Sequence, residues 1–158
     1  VDKMVLVEEQ AIVDAVLQLL ERKKVLSEGA GAAPLAALLS GRLPLHGGEH
    51  VVLVISGGNV DTFLLERILK KGLYASGRMV QLRVRVEEEI HSLSLLLETL
   101  AREGASISRI GQERSAPDLP VHQMRVTLEL EVRGRSHLKG LIAALNAAGF
   151  PVQPFPED

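Results

Sequence analysis

A chain of 158 residues with 46% hydrophobic and 24% charged residues and a formal net charge of -2 has the composition of an ordinary globular protein of one domain, or of two small ones. Eighteen lysines and arginines are scattered among twenty acidic residues, and only three phenylalanines and one tyrosine could stack on bases, which argues against a nucleic-acid partner. The chain has no cysteine and no uncharged stretch long enough to cross a bilayer, so we expect a cytoplasmic protein without a membrane partner.

The first part of the chain carries the patterns of an α/β domain. Residues 4–7 predict a strand almost directly after Val1, and a start at valine rather than methionine indicates a cut. Apolar residues then recur at helical spacing over residues 12–20. A second helix is predicted over residues 34–40, and Gly41 is expected to end it.

Residues 51–55 form an unbroken and mostly β-branched apolar run, which is typical of a strand buried on both faces of a parallel sheet. Asp61 predicts the cap of a third helix, which Gly72 is expected to end. Two such strands are too few for a stable parallel sheet, because each needs neighbours. We therefore expect residues 1–73 to be the incomplete C-terminal tail of a larger open parallel α/β domain whose main part lies outside this chain.

From residue 79 onward, strand and helix periodicities alternate. Residues 80–86 alternate apolar and polar side chains and predict a half-buried strand. Leucines at helical spacing over residues 93–100 predict an amphipathic helix that ends at Gly104. A shorter strand is expected around residues 106–111.

The longest alternating run covers residues 124–132, where the apolar side chains are expected to face the core and the polar ones, including Glu129, to face solvent. A second helix over residues 138–145, which Gly149 and Pro151 are expected to end, and a short strand over residues 152–155 complete the order βαββαβ. This order is typical of a ferredoxin-like domain, here residues 79–158, with both helices on one face of a four-stranded antiparallel sheet. A domain of this size buries only about 60% of its unfolded surface, so a partner is expected on the bare sheet face or a sheet edge.

Two glycine-containing segments could carry chemistry. Residues 29–34 are similar to a dinucleotide-binding turn, but Pro34 stands where the third glycine belongs, and tight packing of a helix N-terminus is the favoured alternative. Residues 56–59 follow the predicted buried strand, where open α/β sheets bind ligands, and a plain tight turn fits them equally well. The five histidines show no metal-ligand spacing and no serine lies in a nucleophile elbow, so neither a metal site nor a catalytic residue is predicted.

Residues 28–33, Glu-Gly-Ala-Gly-Ala-Ala, are followed by residues 51–61, Val-Val-Leu-Val-Ile-Ser-Gly-Gly-Asn-Val-Asp. Together they resemble the end of the catalytic domain of threonine dehydratase (threonine ammonia-lyase). The module that follows residue 79 resembles the ACT domain, a small regulatory domain. The resemblance covers nearly the whole chain, and the order and spacing of its two motifs make it fairly specific.

The resemblance implies a parent enzyme of fold type II that uses pyridoxal phosphate to eliminate water from L-threonine or L-serine, yielding 2-oxobutanoate or pyruvate and ammonia. Ser56 matches the serine whose hydroxyl meets the pyridine nitrogen of the cofactor, and Glu28 matches the glutamate near the cofactor ring. Gly57 and Gly58 would shape the turn beneath the ring. These four residues are the predicted cofactor-binding set.

Two family elements have no counterpart in the sequence: the Ser-x-Lys-x-Arg-Gly segment, whose lysine carries the cofactor, and the glycine-rich phosphate cup. The chain alone is therefore expected to be catalytically inactive and to retain no pyridoxal phosphate. The rest of the parent catalytic domain is the expected partner.

ACT domains commonly bind amino acids at the turn between their first strand and first helix, through an Asp-x-Pro-Gly-like segment. This chain has Glu87-Glu88-Glu89-Ile90-His91-Ser92 instead, which lacks the glycine and adds acids that repel a carboxylate. The candidate effector contacts are Glu88, Ile90, His91 and Ser92. Retention of the module for oligomerisation, as a homodimer or higher homo-oligomer, is the alternative. The alternative interpretation of the whole chain is a free-standing amino-acid-binding or dimerisation module without a catalytic parent.

Overall fold

The computed structural model describes residues 3–155, and the chain falls into two compact units that divide between Gly72 and Leu73. The described residues therefore do not include Val1 or the last three residues of the predicted second domain. The first unit contains α1 (Glu9–Gln18), a π-helical turn (Leu19–Lys23) and α2 (Gly29–Leu39). The third helix, α3 (Thr62–Ala75), contains the division between the units.

The second unit has the predicted order βαββαβ. Its elements are β1 (Met79–Glu87), α4 (Ser92–Arg102), β2 (Ser106–Glu113), β3 (Gln123–Glu131), α5 (Arg135–Ala147) and β4 (Val152–Phe155). The strands form one antiparallel sheet in the order β2-β3-β1-β4, with Leu82 opposite Leu128 on the central strands. The ferredoxin-like topology predicted from the sequence is confirmed.

One apolar core holds the second unit together. Alternate residues of the two central strands meet the inner faces of α4 and α5, because side chains two apart in a strand point to the same side of the sheet. The core side chains with 1% exposure or less are Leu82, Val84, Val86, Leu96, Leu100, Val126, Leu128, Leu130, Leu141 and Leu145. Full burial of each such side chain contributes about 1.5–3 kcal/mol relative to exposure, so this core sets the stability of the module.

Three predicted helix ends are confirmed, and one is wrong. Gly41, Gly104 and Gly149 each follow a helix with a positive φ, of 67°, 72° and 88°, the left-handed conformation in which glycine commonly ends helices. Gly72 does not end α3, which continues to Ala75 and is followed by Gly77 with φ 68°. The space at Gly72 is taken by Leu17, because an added Cβ would lie 2.9 Å from its Cδ2 atom.

The second helix begins five residues earlier than predicted. It starts at Gly29 and contains Pro34, although proline has no N–H to donate to the preceding turn. Apolar periodicity detected only the part after Pro34, because the residues before it are glycine and alanine and carry no amphipathic signal.

Residues 4–7 and 51–55 do not pair as strands anywhere in residues 3–155, so both strand predictions fail there. The physical reason is that a strand is formed by hydrogen bonds to a neighbour, and the described residues supply none for either segment. The side chains nevertheless alternate as strands do: Leu6, Val52 and Val54 are 84%, 86% and 74% exposed, whereas Val7 and Ile55 pack against the core of the first unit.

The outer face of the sheet differs from the prediction at Glu129, which is only 6% exposed. Gln81 Nε2 donates a hydrogen bond to Glu129 Oε2 at 3.3 Å, and the Ser108 hydroxyl lies 3.5 Å from Oε1. Gln81 Nε2 also lies 3.1 Å from the hydroxyl of Tyr74, on the last turn of α3. The alternating pattern predicted solvent here because the neighbours that cover Glu129 come from other parts of the chain.

The Tyr74 hydroxyl reports on this buried cluster. Burial raises its pKa above the ordinary value, the Glu129 carboxylate raises it further, and Gln81 and Arg109 act in the opposite direction. The folded chain thus favours the neutral hydroxyl. This contribution to stability is complete below the unfolded pKa of about 10 and is lost as pH rises through the raised folded pKa.

We therefore expect the phenolate absorbance of this single tyrosine, in a chain without tryptophan, to appear at higher pH in the folded chain than in urea. Glu129→Gln should lower the folded midpoint, and Tyr74→Phe should reduce the loss of stability above pH 10. Equal midpoints in the folded and unfolded chain would contradict the assignment.

Candidate functional site

The first unit brings the two recognised motifs together at one corner. Glu28 N donates a hydrogen bond to Gly57 O at 2.7 Å, and Glu28 O accepts one from Ala32 N at 3.0 Å, as the first turn of α2 requires. Glu28 therefore joins the 56–58 turn to the start of α2, although 28 residues separate it from Ser56 in sequence. We call Glu28 and residues 56–58 the glycine corner.

The start of α2 lies very close to the glycine corner. An added Cβ at Gly31 would overlap the carbonyl oxygen of Ser56, so only glycine permits this approach. Of the two readings of residues 29–34, the structure supports tight packing of a helix N-terminus.

The turn itself depends on one of its two glycines. Gly57 has φ 69°, a region that favours glycine, and an added Cβ there would overlap the side chain of Glu28. Gly58 is different, because its nearest neighbour to an added Cβ is Leu26 O at an ordinary 3.8 Å. After the turn, Asp61 Oδ1 accepts a hydrogen bond from Leu64 N at 2.8 Å, which confirms Asp61 as the predicted cap of α3.

The four residues predicted to bind a cofactor thus share one corner. The Ser56 side chain is exposed, and Glu28 is half-buried. An exposed hydroxyl on a turn whose backbone is hydrogen-bonded to residues 27 and 28 fits the neutral partner that the resemblance assigns to a pyridine nitrogen. Among residues 3–155, Lys24 Nζ bonds Glu21 O at 2.9 Å and Lys71 Nζ bonds Glu9 at 2.7 Å, so these two lysines have partners away from the corner.

Gly57→Ala and Gly58→Ala form a matched pair for this geometry. We expect Gly57→Ala to destabilise the first unit by about 1–2 kcal/mol for the left-handed backbone alone, with a further loss from displacing Glu28. Gly58→Ala should be close to neutral, since its added methyl group meets no atom closer than 3.8 Å. Urea unfolding of both variants measures the difference, and equal effects would refute the described turn.

In the second unit, three of the four candidate effector residues line two different concavities. Ser92 lines a cavity of about 410 Å³, whereas Glu88 and Ile90 line one of about 300 Å³ together with Arg114. Arg114 Nε lies 3.0 Å from Glu88 Oε1, so an ion pair already occupies part of the smaller one. His91 is the residue before α4, and its side chain makes no capping hydrogen bond.

The 410 Å³ cavity contains residues that the sequence patterns did not single out. It combines two charged side chains, several polar and apolar groups and the turn that precedes β4. Its lining residues are Arg85, Glu87, Ser92, Leu95, Gln123, Ala148, Gly149, Phe150 and Pro151. Gln123 Nε2 donates to Glu87 Oε1 at 2.7 Å, which fixes the carboxylate at the cavity wall. The set comes from two strands, one helix and the turn before β4, which are far apart in sequence, so no local motif marks it.

Over almost its whole length, the chain is similar to amino-acid lyases. The relatives are L-threonine ammonia-lyases, at 41% identity over 152 residues for Geobacter sulfurreducens and 40% over 153 residues for Thermotoga maritima. A catabolic L-threonine dehydratase from Staphylococcus aureus is 43% identical over 75 residues, 46% of this chain and 22% of that protein. The resemblance to threonine dehydratase indicated by the motifs is confirmed.

The match covers 96% and 97% of this chain but only 38% of each of the first two relatives. No protein-family model matches the chain. Among solved structures, prephenate dehydratase from Staphylococcus aureus aligns with a TM-score of 0.42 at 16% identity, over 49% of this chain and 29% of that one. No helix within residues 3–155 is both long and apolar enough to span a membrane.

Proposed function

We propose that this chain is the C-terminal part of a threonine dehydratase that uses pyridoxal phosphate. In this proposal residues 1–73 supply one wall of the cofactor site, and residues 79–158 form an ACT-type regulatory domain. The observation that carries the proposal is the glycine corner. It brings Glu28 next to Gly57 in a chain that is about 40% identical to L-threonine ammonia-lyases along nearly all of its length.

The residues of the glycine corner have separate roles in this proposal. Pyridoxal phosphate, when bound, supplies the electron sink that lets water be eliminated from L-threonine or L-serine. The Ser56 hydroxyl would meet the pyridine nitrogen as a neutral partner, which does not force that nitrogen to be protonated. Gly57 holds the turn in its left-handed conformation, and Glu28 lies beside it.

The exposed apolar segments support the rest of the parent catalytic domain as the partner of this chain. Residues 4–7 and 51–55 expose alternate apolar side chains and leave their backbones unpaired within residues 3–155. A sheet neighbour satisfies both the backbone groups and the apolar side chains of such segments. The relatives have the length to provide one, because this chain spans 38% of them.

We expect the purified chain to lose pyridoxal phosphate on dialysis and to consume no threonine, because the lysine setting and phosphate cup of the family are absent from it. Cofactor absorbance after dialysis and a 2-oxobutanoate assay measure the two properties. Threonine turnover by the purified chain would contradict the proposal that catalysis requires the rest of the parent enzyme.

The exposed segments give a further test. The chain should bind a hydrophobic dye, and replacing Val52 and Val54 by threonine should reduce the dye signal. The matched control is Val51→Thr, because Val51 is only 41% exposed and should contribute less. If the first unit unfolds cooperatively and binds no dye, the proposal that these segments lack a sheet neighbour is contradicted.

The second part of the proposal is amino-acid sensing by the ferredoxin-like module. The 410 Å³ cavity carries the Arg85 guanidinium and the Glu87 carboxylate beside Leu95 and Phe150. Such a set suits the carboxylate, ammonium and apolar side chain of a small amino acid. Assembly of homo-oligomers, with or without an effector, is the alternative role of the module.

Titration with isoleucine, valine, threonine and serine separates these roles, with heat measured by calorimetry and mass by sedimentation. Binding without a change in mass supports a sensor, whereas a stable dimer that binds none of them supports assembly. Arg85→Gln should weaken binding about tenfold or more, since it removes a charged hydrogen-bond donor. Arg83→Gln, two residues earlier on β1, is the control and should bind as the unchanged chain does.

A further inference from the structure

We propose that Ser27 is a positioning residue that fixes the backbone of Ser56, and thereby the direction of the Ser56 hydroxyl. The inference rests on the proposed function, in which Ser56 faces a cofactor. Neither of the sequence motifs assigned a role to Ser27, which directly precedes Glu28.

The hydroxyl of Ser27 lies between the two halves of the glycine corner. Its Oγ is 3.1 Å from Ser56 O and 3.0 Å from Glu28 O. The residue is only 1% exposed, so its hydroxyl has no ready access to bulk water. A buried hydroxyl costs free energy unless it donates to an acceptor, and both of these carbonyl oxygens are acceptors within its reach.

Gly31 completes the seat for the Ser56 carbonyl. The carbonyl oxygen occupies the space that a Cβ at position 31 would need, and the same missing Cβ would come within 2.5 Å of Ser27 Oγ. The oxygen therefore lies against the first turn of α2, the end of a helix at which negative charge is favourable. Steric fit and a hydrogen bond thus act on the same atom.

The next carbonyl group, that of Gly57, is held by Glu28, the residue after Ser27. Gly57 O accepts the hydrogen bond of Glu28 N at 2.7 Å, so two successive carbonyl groups are fixed by the successive residues 27 and 28. The backbone on the C-terminal side of Ser56 is then immobilised, and the direction of its Cα–Cβ bond is set. Only the rotation of χ1 is left to the exposed Ser56 hydroxyl.

The backbone part of the proposal is tested in the isotope-labelled 158-residue chain. Ser27→Ala should speed hydrogen exchange of the Glu28 amide about fivefold, the effect of one lost hydrogen bond, and should shift the amide resonances of Ser56 and Gly57. Ser27→Thr keeps the hydroxyl and should restore both signals. Ser40→Ala removes a similar bond, Oγ to Ala37 O at 3.2 Å, at the other end of α2 and should change neither.

Equal effects of Ser27→Ala and Ser40→Ala would overturn the positioning role. If Ser27→Ala unfolds the first unit, Ser27→Thr decides: native resonances at Ser56 and Gly57 support the hydroxyl contact, and displaced ones overturn it.

The functional part is tested in the full-length protein that carries this chain, through its dissociation constant for pyridoxal phosphate measured by absorbance. Ser27→Ala should weaken binding about fivefold, whereas Ser27→Thr and Ser40→Ala should not. Tight binding that Ser27→Ala leaves unchanged would overturn the positioning role and leave the proposed function intact. A full-length protein that binds no cofactor would overturn the proposed function, while the exchange experiment would still report on the backbone contact.

Discussion

The geometry of the glycine corner depends on one steric constraint, the absence of a side chain at Gly31. Because the Ser56 carbonyl takes that space, the 56–58 turn can reach the start of α2, and Glu28 N can bond Gly57 O. An added methyl group at position 31 would separate the turn from the helix and break contacts with both Ser27 and Glu28. The contact between these residues, which are widely separated in sequence, thus requires both the missing Cβ at Gly31 and the hydrogen bond from Glu28 to Gly57.

The second unit depends on a different constraint, the pairing register of its two central strands. Leu82 opposite Leu128 and Val84 opposite Val126 place every second side chain of both strands in one core. A slip of one residue would turn that whole set outward. The same register brings Gln81 beside Glu129 on the other face, so a polar cluster is built into the outer surface of the sheet.

Periodicity in the sequence was sufficient for the ferredoxin-like module because its strands and helices are short, amphipathic and paired within the chain. It failed for residues 51–55, since an apolar run records what a strand would pack against and not whether that neighbour is present. It failed at Glu129 because the side chains that bond its carboxylate, Gln81 on β1 and Ser108 on β2, are not connected to β3 by any local pattern. Within the candidate site, the motifs gave Glu28 and Ser56, but the bond between Ser27 and Ser56 spans 29 residues and is visible only in the fold.

The segment at residues 51–55, which has no strand partner within residues 3–155, has a consequence for how this chain behaves in concentrated solution. It is uncharged, lacks proline and is mostly β-branched, the composition from which cross-β assemblies are built. Its backbone N–H and C=O groups can be satisfied equally by an identical segment of another molecule. Glu49 and Asp61 flank the run and place negative charge near both ends, which opposes stacking of copies in register. Colloidal stability of the isolated chain therefore depends on the charge of these two carboxylates and falls as salt screens them.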